Sequence, residues 1–236
     1  MEERLKMIIS ILEDRSSLSF SRLAQLCYVS EPTIRRDAAK LEHMGLVEHI
    51  YGGLQLAKYK NAVVPIDLRD GANSAAKEQA AQSAAQKIHD GDTVFFDSSS
   101  TVRRICHYLQ GKKDLTVITN NLRVLQDLKN TDFNVLCTGG TYFHRRDCFL
   151  GAIAERFLAD VNADCMFFSA QGISEDGVIT DVSEEEISMR RAMLQHSKRK
   201  YFVCDHSKFG IIKSLRLCTL EDIDGVICSQ PLVFIP

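Results

Sequence analysis

The sequence contains no Cys-x-x-Cys pair, no apolar run near the ~20 residues of a membrane span, and no charge excess that would name a partner. Each absence excludes a class. The eight cysteines (27, 106, 137, 148, 165, 204, 218 and 228) are scattered, and most sit inside apolar runs such as Val203-Cys204 and Ile227-Cys228. Buried reduced thiols are therefore expected, with no disulfide framework, metal site or cofactor. Met1-Glu2-Glu3-Arg4 opens on acid and leads into a short apolar run, which does not suit a signal peptide, so the expected location is the cytoplasm, with no membrane partner. Formal net charge is −2, and residues 1–60 hold nine Lys/Arg against eight Asp/Glu. Bulk charge thus does not advertise nucleic acid, and any such reading must rest on where particular cations point.

What is present begins with Ser30-Glu31-Pro32-Thr33-Ile34-Arg35-Arg36-Asp37. Ser30 is a good helix N-cap, expected to accept from the Thr33 amide, and Pro32 gives up only an amide that has no partner in the first turn. At about 100° per residue, Ile34, Ala38 and Leu41 share one face, while Pro32, Thr33, Arg36 and Lys40 share the other, with Arg35 at the flank. One face packs and the other is free to meet DNA. Upstream, Leu5, Ile8, Ile9 and Leu12 form one helical stripe, and Phe20, Leu23, Ala24 and Leu26 form a second. Downstream, Leu46–Ile50 and Leu54–Leu56 flank Tyr51-Gly52-Gly53, which reads as a hairpin with a Gly-Gly turn. Helix, helix, turn, helix and hairpin describe a winged helix-turn-helix, whose third helix enters the major groove while the wing lies near the backbone. Lys58 and Lys60 add charge just beyond the wing.

Val29 through Asp37, with Leu41-Glu42, Gly45-Leu46 and Gly52-Gly53, resembles the DNA-binding signature of the DeoR family of bacterial transcription regulators. Two positions depart from it: His49 stands where the family usually has arginine, and Tyr51 where it usually has histidine. The expected DNA-contacting set is Ser30, Pro32, Thr33, Arg35, Arg36, Lys40, His49 and Tyr51.

A chain of 236 residues suits a small domain plus a larger one. We expect the winged helix-turn-helix over 1–57, a linker over 58–71, and an α/β domain over 72–236. An alanine-rich helix is expected from about Ala72 to His89. Beyond it, β-rich runs at Val94–Phe96, Leu115–Ile118, Val135–Cys137, Met166–Phe168 and Tyr201–Val203 alternate with helical segments, as in a mostly parallel sheet. Ser183-Glu184-Glu185-Glu186 reads as a capping box opening a helix to about Ser197, with Lys198-Arg199-Lys200 at its C-terminal end.

Ligands of open parallel sheets bind at the carboxyl ends of the strands. Here those ends are all polar: Asp97-Ser98-Ser99-Ser100-Thr101 entering a helix, Thr119-Asn120-Asn121, Thr138-Gly139-Gly140, Ser169-Ala170-Gln171-Gly172, and Asp205-His206-Ser207-Lys208. Hydroxyls and amides at a helix N-terminus suit an anion. The succession Arg69, Lys77, Asp97 with Ser100-Thr101, Thr119-Asn120-Asn121, Gly139-Gly140, Gly151, Asp164, Gly172, Gly177 and Asp205 with Ser207-Lys208-Phe209 also resembles the DeoR effector domain. That domain is related in fold to ribose-5-phosphate isomerase and the CoA transferases, and it usually senses a phosphorylated sugar. Ser99 departs from the family's glycine in this loop. The resemblance thus implies an effector site made by Lys77, Asp97, Ser99, Ser100, Thr101, Thr119, Asn120, Asn121, Gly139, Gly140, Gly172, Asp205 and Lys208.

The expected function is a repressor of a carbohydrate operon, a homo-oligomer (dimer or tetramer) that releases its operator when a phosphorylated sugar binds. The alternative is a phosphosugar isomerase on the same fold, which needs a carboxylate poised for proton transfer and a neighbouring electrophile. Asp97, Asp181, Glu184 and Asp205 supply carboxylates, but no acid-base pair stands out and the N-terminal module has no role in isomerisation.

Overall fold

The computed structural model of the chain describes residues 2–15, 17–43, 46–56, 66–71, 73–144 and 146–234. It divides into two compact units, Met1–Ser74 and Ala75–Pro236.

The first unit is the expected winged helix-turn-helix. Its elements are α1 (Glu2–Arg15), β1 (Ser17–Ser19), α2 (Phe20–Leu26), α3 (Glu31–His43), β2 (Val47–Ile50) and β3 (Gly53–Leu56). The stripe read from α1 is buried, as are Phe20, Leu23 and Ala24 of α2 and Ile34, Ala38 and Leu41 of α3, all in one core. Two features differ from expectation. β1 adds a third strand, giving the order β1-β3-β2. The wing turn is Tyr51-Gly52, and Gly53 belongs to β3, paired with Ile50 on one side and Ser19 on the other. Residues 57–65, including Lys58 and Lys60, lie outside the described residues. Within the stretch expected as a linker, Ile66–Gly71 forms a helix, α4, which packs on α1.

The second unit opens with α5 (Ser74–Ala85), shorter than expected, followed by β4 (Thr93–Phe96), α6 (Ser100–Arg103) and β5 (Thr116–Thr119). Next come α7 (Leu122–Leu128), β6 (Asn134–Cys137), the hairpin β7 (Thr141–Phe143) and β8 (Cys148–Leu150), α8 (Ala152–Ala159) and β9 (Ala163–Phe168). The chain ends through β10 (Gly172–Ile173), β11 (Val178–Asp181), α9 (Glu184–Gln195), β12 (Ser197–Cys204), β13 (Leu215–Thr219) and β14 (Gly225–Cys228).

Six strands, in the order β14-β12-β9-β4-β5-β6, form one sheet in which every pairing is parallel. Alternation along each strand divides the core in two. Phe95, Met166, Phe168 and Phe202 face α8 and α9, whereas Val94, Phe96, Cys165, Phe167 and Val203 face α5 and the segment after β4. Ala80, Ala81, Ala84 and Ala85 put α5 directly on the sheet, the close packing its composition requires. β10, β11 and β13 form a separate antiparallel sheet.

One local expectation is corrected. α9 ends at Gln195, and Lys198-Arg199-Lys200 lies in β12, paired in parallel register with β9. The basic run is anchored by ion pairs from Lys198 to Asp164 and from Arg199 to Asp92, both at 2.8 Å, and does not cap a helix dipole.

Candidate functional site

In the first unit, α3 begins where expected, but its cap differs in detail. The Thr33 amide donates to the Ser30 carbonyl, and the Ser30 hydroxyl meets that of Thr33 at 2.9 Å. Asp37, on the packed side, is 1% exposed and ion-paired with Arg4, which ties α3 to α1. The two arginines of the motif separate sharply. Arg35 donates twice to Glu31, at 2.6 and 3.1 Å, and its guanidinium lies 4.1 Å from the centre of the Phe20 ring. Arg36 projects from the exposed face beside Pro32, with Lys40 partly exposed one turn on. In the wing, His49 packs its ring edge-on to Phe20 and places Nε2 3.6 Å from Glu42, while Tyr51 is fully exposed at the tip. Arg36, Tyr51 and the rim formed by Ser30, Pro32 and Thr33 are thus presented outward, and Arg35 and His49 are partly spent inside the module. Tyr28, outside the expected DNA-contacting set, is 91% exposed in the turn before α3 with φ of 53°.

In the second unit, parallel pairing carries the ends of β4, β5, β6, β9 and β12 to one edge of the sheet. The expected residues are therefore brought together, but they fall into two groups. Some are framework. The Thr119 hydroxyl donates to the Phe96 carbonyl at 2.8 Å and accepts from the Asn121 amide at 3.0 Å. Asn121 caps α7 through the Arg123 amide. Gly140, with φ of 107°, lies where a Cβ would come within 2.7 Å of the Leu150 carbonyl, and at Gly172 a Cβ would sit 2.2 Å from the Ile211 carbonyl. These two glycines permit close backbone crossings.

Asp97 is also framework. Its Oδ1 accepts from the Ser99 amide at 3.0 Å, and its Oδ2 accepts from the Ser169 amide at 3.2 Å and Arg190 Nε at 2.8 Å. At 1% exposed, it holds the hydroxyl loop from behind. Arg190, itself buried, also donates to Asp181 at 2.9 Å and lies 3.7 Å from Glu186. Glu186 accepts from the Ser98 hydroxyl at 3.0 Å and is ion-paired with Arg146 of the β7–β8 loop. Burial alone would lower the Arg190 pKa, but Asp181 and Asp97 outweigh it and hold the group above its ordinary value. Sequence reading missed Arg146 and Arg190 and placed Glu186 in a capping box. The Ser183 hydroxyl does accept from the Glu186 amide, at 3.4 Å, but the Glu186 carboxylate turns to Ser98 and Arg146.

The second group includes hydroxyls and an amide oxygen that the framework does not take. Ser99 caps α6, and no framework hydrogen bond engages the hydroxyls of Ser100 or Thr101 among the described residues. α6 has only four residues, so amides and hydroxyls, and not a long helix dipole, are what this loop offers an anion. Asn120 donates to the Phe149 carbonyl at 3.0 Å, and its buried Oδ1 has no hydrogen-bond partner. Gly139 has open space at its Cα. Asp205 is fully buried and caps the short helix that carries Lys208. Burial raises its pKa, but Lys208, Ser207 and Lys77 more than reverse this and hold the carboxyl below its ordinary range. Lys77, 4% exposed on α5, therefore faces the same carboxylate as Lys208. A cavity of about 320 Å³ lies elsewhere, beside β14 and the tail after it, lined by Cys228, Pro231 and Phe234 among others, and by none of the expected site residues.

A winged helix-turn-helix joined to a parallel α/β unit with a polar, cation-bearing strand edge defines a DNA-binding regulator with a sensor domain. Residues 4–60 match the DeoR-like helix-turn-helix domain and residues 72–230 the DeoR C-terminal sensor domain. The chain belongs to the DeoR family of transcriptional regulators. It is 30% identical to the L-fucose operon activator of Haemophilus influenzae, over 98% of this chain and 93% of that one. It is 28% identical to the glycerol-3-phosphate regulon repressor of Escherichia coli, over 95% and 89%. Among solved structures, the tetrameric eIF2B-β2δ2 complex from C. thermophilum is similar with a TM-score of 0.50 at 16% identity, over 66% of this chain and 55% of that one, a likeness of fold alone.

Proposed function

We propose that this regulator is a cytoplasmic repressor of a carbohydrate operon, that it binds its operator as a homodimer or tetramer through α3 and the wing, and that a phosphorylated sugar at the strand-end edge releases it. The observation that carries the reading is that β4 and β12 end on one edge of a sheet whose strands all run the same way, the Ser99–Thr101 loop following the first and Asp205, with Lys77 and Lys208 acting on its carboxylate, following the second. A phosphate there would gain hydroxyl and amide donors together with ammonium charge. In this reading Asn120 Oδ1 would accept from a sugar hydroxyl. The named relatives include a glycerol-3-phosphate regulon repressor, which supports a phosphorylated effector, and an operon activator, which makes the sign of regulation a matter for experiment. The isomerase alternative loses two of its four carboxylate candidates, because Asp97 and Asp181 are bonded to Arg190, and a third, Asp205, accepts from the Ser207 amide and hydroxyl.

A thermal-shift screen of the full chain against sugars and their phosphates tests this reading. A ligand at a hundred times its dissociation constant stabilises the folded state by about 2.7 kcal/mol. Phosphorylated sugars should raise the melting temperature and release a DNA fragment bearing the operator, whereas the unphosphorylated sugars should do neither. Replacing Lys208 by Met should weaken effector binding by about 1.5–3 kcal/mol, ten- to over a hundred-fold, and leave operator binding without effector unchanged. Stabilisation by unphosphorylated sugars alone would refute the phosphate site, and an effector that tightens operator binding would refute the release mechanism.

A further inference from the structure

All eight cysteines are free thiols, and strand register singles out two of them. In the parallel pairing of β12 with β14, Cys204 lies directly opposite Cys228, and among the described residues no other register sets two cysteines against each other. Residues opposite one another in a parallel pair point to the same face, and both thiols belong to the core on the α8 and α9 side of the sheet. Neighbouring strands lie about 4.8 Å apart, inside the Cα separation of roughly 4.4–6.8 Å that a disulfide spans. β14 is an edge strand and Cys228 is its last residue, so this end of the pair has a strand neighbour on one side only.

The two thiols differ in access. Cys204 is fully buried, whereas Cys228 is half-buried and, with Ser229 and Gln230, lines the open cavity of about 320 Å³ beside β14. The Cys204 thiol, the Gln230 amide and the Ser229 hydroxyl donate to the Cys228 sulfur and hold it below its ordinary range, against burial and the Asp205 charge. Cys204, as the donor to Cys228 and by burial, is held above its own. Elsewhere in the sheet, burial pushes the thiols of Cys165 and Cys218 up to about 12. Thiolate character at an accessible sulfur is what makes a cysteine reactive. The competing role for the pair is that of two small apolar residues filling the core. That role suits Cys204, but it gives no reason for hydrogen-bond donors gathered around a sulfur at a cavity wall.

We propose that Cys228 and Cys204 form a peroxide-oxidisable dithiol, in which Cys228 meets a small hydroperoxide through the cavity and Cys204 resolves the product to an intramolecular disulfide. The Cys228 thiolate attacks one peroxide oxygen: an S–O bond forms, the O–O bond breaks, and the departing hydroxide takes a proton from solvent to become water. The Cys204 sulfur then attacks the Cys228 sulfenic acid, forming the S–S bond and breaking the S–O bond, and the Cys204 proton leaves with the hydroxide as a second water. Two thiols thus give up two electrons and two protons, and the peroxide is reduced to water. The disulfide joins the two strand ends immediately before the His206 amide meets the Ser229 hydroxyl at 3.3 Å. Nothing in the proposal depends on the identity of the effector.

The experiment treats the reduced full chain with a few equivalents of hydrogen peroxide, blocks remaining thiols with N-ethylmaleimide and digests with trypsin without reduction. Cleavage after Lys208, Lys213 and Arg216 separates the two cysteines. Mass spectrometry should find the Cys204 and Cys228 peptides joined with the loss of two hydrogens, and dithiothreitol should return both to thiols. In the untreated protein, limiting iodoacetamide should alkylate Cys228 faster than Cys137, which is half-buried too. These two measurements need no variant to fold. Cys204→Ser should halt the reaction at a Cys228 sulfenic acid that dimedone traps, whereas Cys228→Ser should leave Cys204 unoxidised. Retention of both thiols in the peroxide-treated wild type, oxidation of Cys228 to sulfinic acid while Cys204 stays a thiol, or a Cys228 to Cys228 link between two chains would each overturn the proposal.

Discussion

Arg190→Met should be the most damaging single substitution in the second unit, and the reason is charge stranding more than lost packing. Methionine approximates the arginine stem, so the cavity left is small, but Asp97 and Asp181 lose the guanidinium that lies 2.8 and 2.9 Å from them. Both carboxylates are 1% exposed, so water cannot replace the donor without the surrounding packing opening. Removing one partner of a buried ion pair costs about 3–5 kcal/mol, and here two carboxylates are stranded, which places the cost at the upper end. Folded domains are stable by about 5–15 kcal/mol, so a large share of the margin is lost. Urea unfolding followed by far-UV circular dichroism reads the effect. With a slope on the order of 2 kcal/mol per molar, the midpoint of the transition belonging to the second unit should fall by roughly 1.5–2.5 M, with the first unit's transition unmoved. The triple variant Arg190→Met, Asp97→Asn, Asp181→Asn supplies the control, because removing the charges together removes the penalty. It should recover much of the midpoint. A single variant that unfolds within about 0.3 M of the wild type, or a triple variant worse than the single, would refute the account of the network.

Arg36→Ala should weaken operator binding without changing the unfolding midpoint, by about 1–3 kcal/mol if the contact is to a base edge, whereas Arg35→Ala should have the smaller effect on DNA because its guanidinium is already engaged by Glu31 and Phe20; gel shifts across a salt series separate base from phosphate contacts, and equal losses from the two would argue against this division. Gly172→Ala should destabilise the second unit by more than the fraction of a kcal/mol typical of an exposed site, because the new Cβ would sit 2.2 Å from the Ile211 carbonyl and the backbone must move; an unchanged melting temperature would show that the crossing is loose. The Asp205 carboxyl is held below its ordinary range when folded, so its contribution to stability is present above the unfolded value of about 4 and is lost as pH falls through the folded one. Asp205→Asn should therefore flatten the acid side of the stability profile, and an unaltered slope below about pH 4 would count against that assignment.

The parts legible in the sequence are those whose signal is periodic. Ile34, Ala38 and Leu41 alternate with Pro32, Arg36 and Lys40 at helical spacing, so periodicity alone separates the packed face of α3 from the outward one, and the burial of these residues follows that division. The sheet strands are legible for the same reason. Short apolar β-rich runs separated by helical segments admit little else, and the parallel arrangement follows because each crossover returns the chain to the same edge. Boundaries are less legible. The run Lys198-Arg199-Lys200 looks like a helix terminus because charge near a C-terminal end is favourable, yet its partners Asp164 and Asp92 lie 34 and 107 residues away and draw it into β12.

The same limit explains why the motif at the end of β4 does not divide correctly on local grounds. Asp97 and the hydroxyls after it form one motif in the sequence, and nothing local says that the carboxylate and the hydroxyls face different ways. The division is made by Arg190, 93 residues on, and by Asp181, which the antiparallel sheet brings to the same guanidinium. Glu186 is the clearest case. In the sequence it completes a Ser-x-x-Glu capping pattern, and its amide obeys the pattern, but its carboxylate is taken by Ser98 and Arg146 from 88 and 40 residues away because a buried guanidinium outcompetes an amide for a charged acceptor. A charged side chain that can reach a buried opposite charge does not keep its local role. A strand-end motif rich in carboxylates therefore cannot be assigned to a ligand until the distant cations are placed, whereas hydroxyls and lysines, which have fewer reasons to turn inward, can be assigned with less risk. Among the described residues the framework takes neither the Ser100 nor the Thr101 hydroxyl, so their reading as ligand contacts is one for an effector titration to decide.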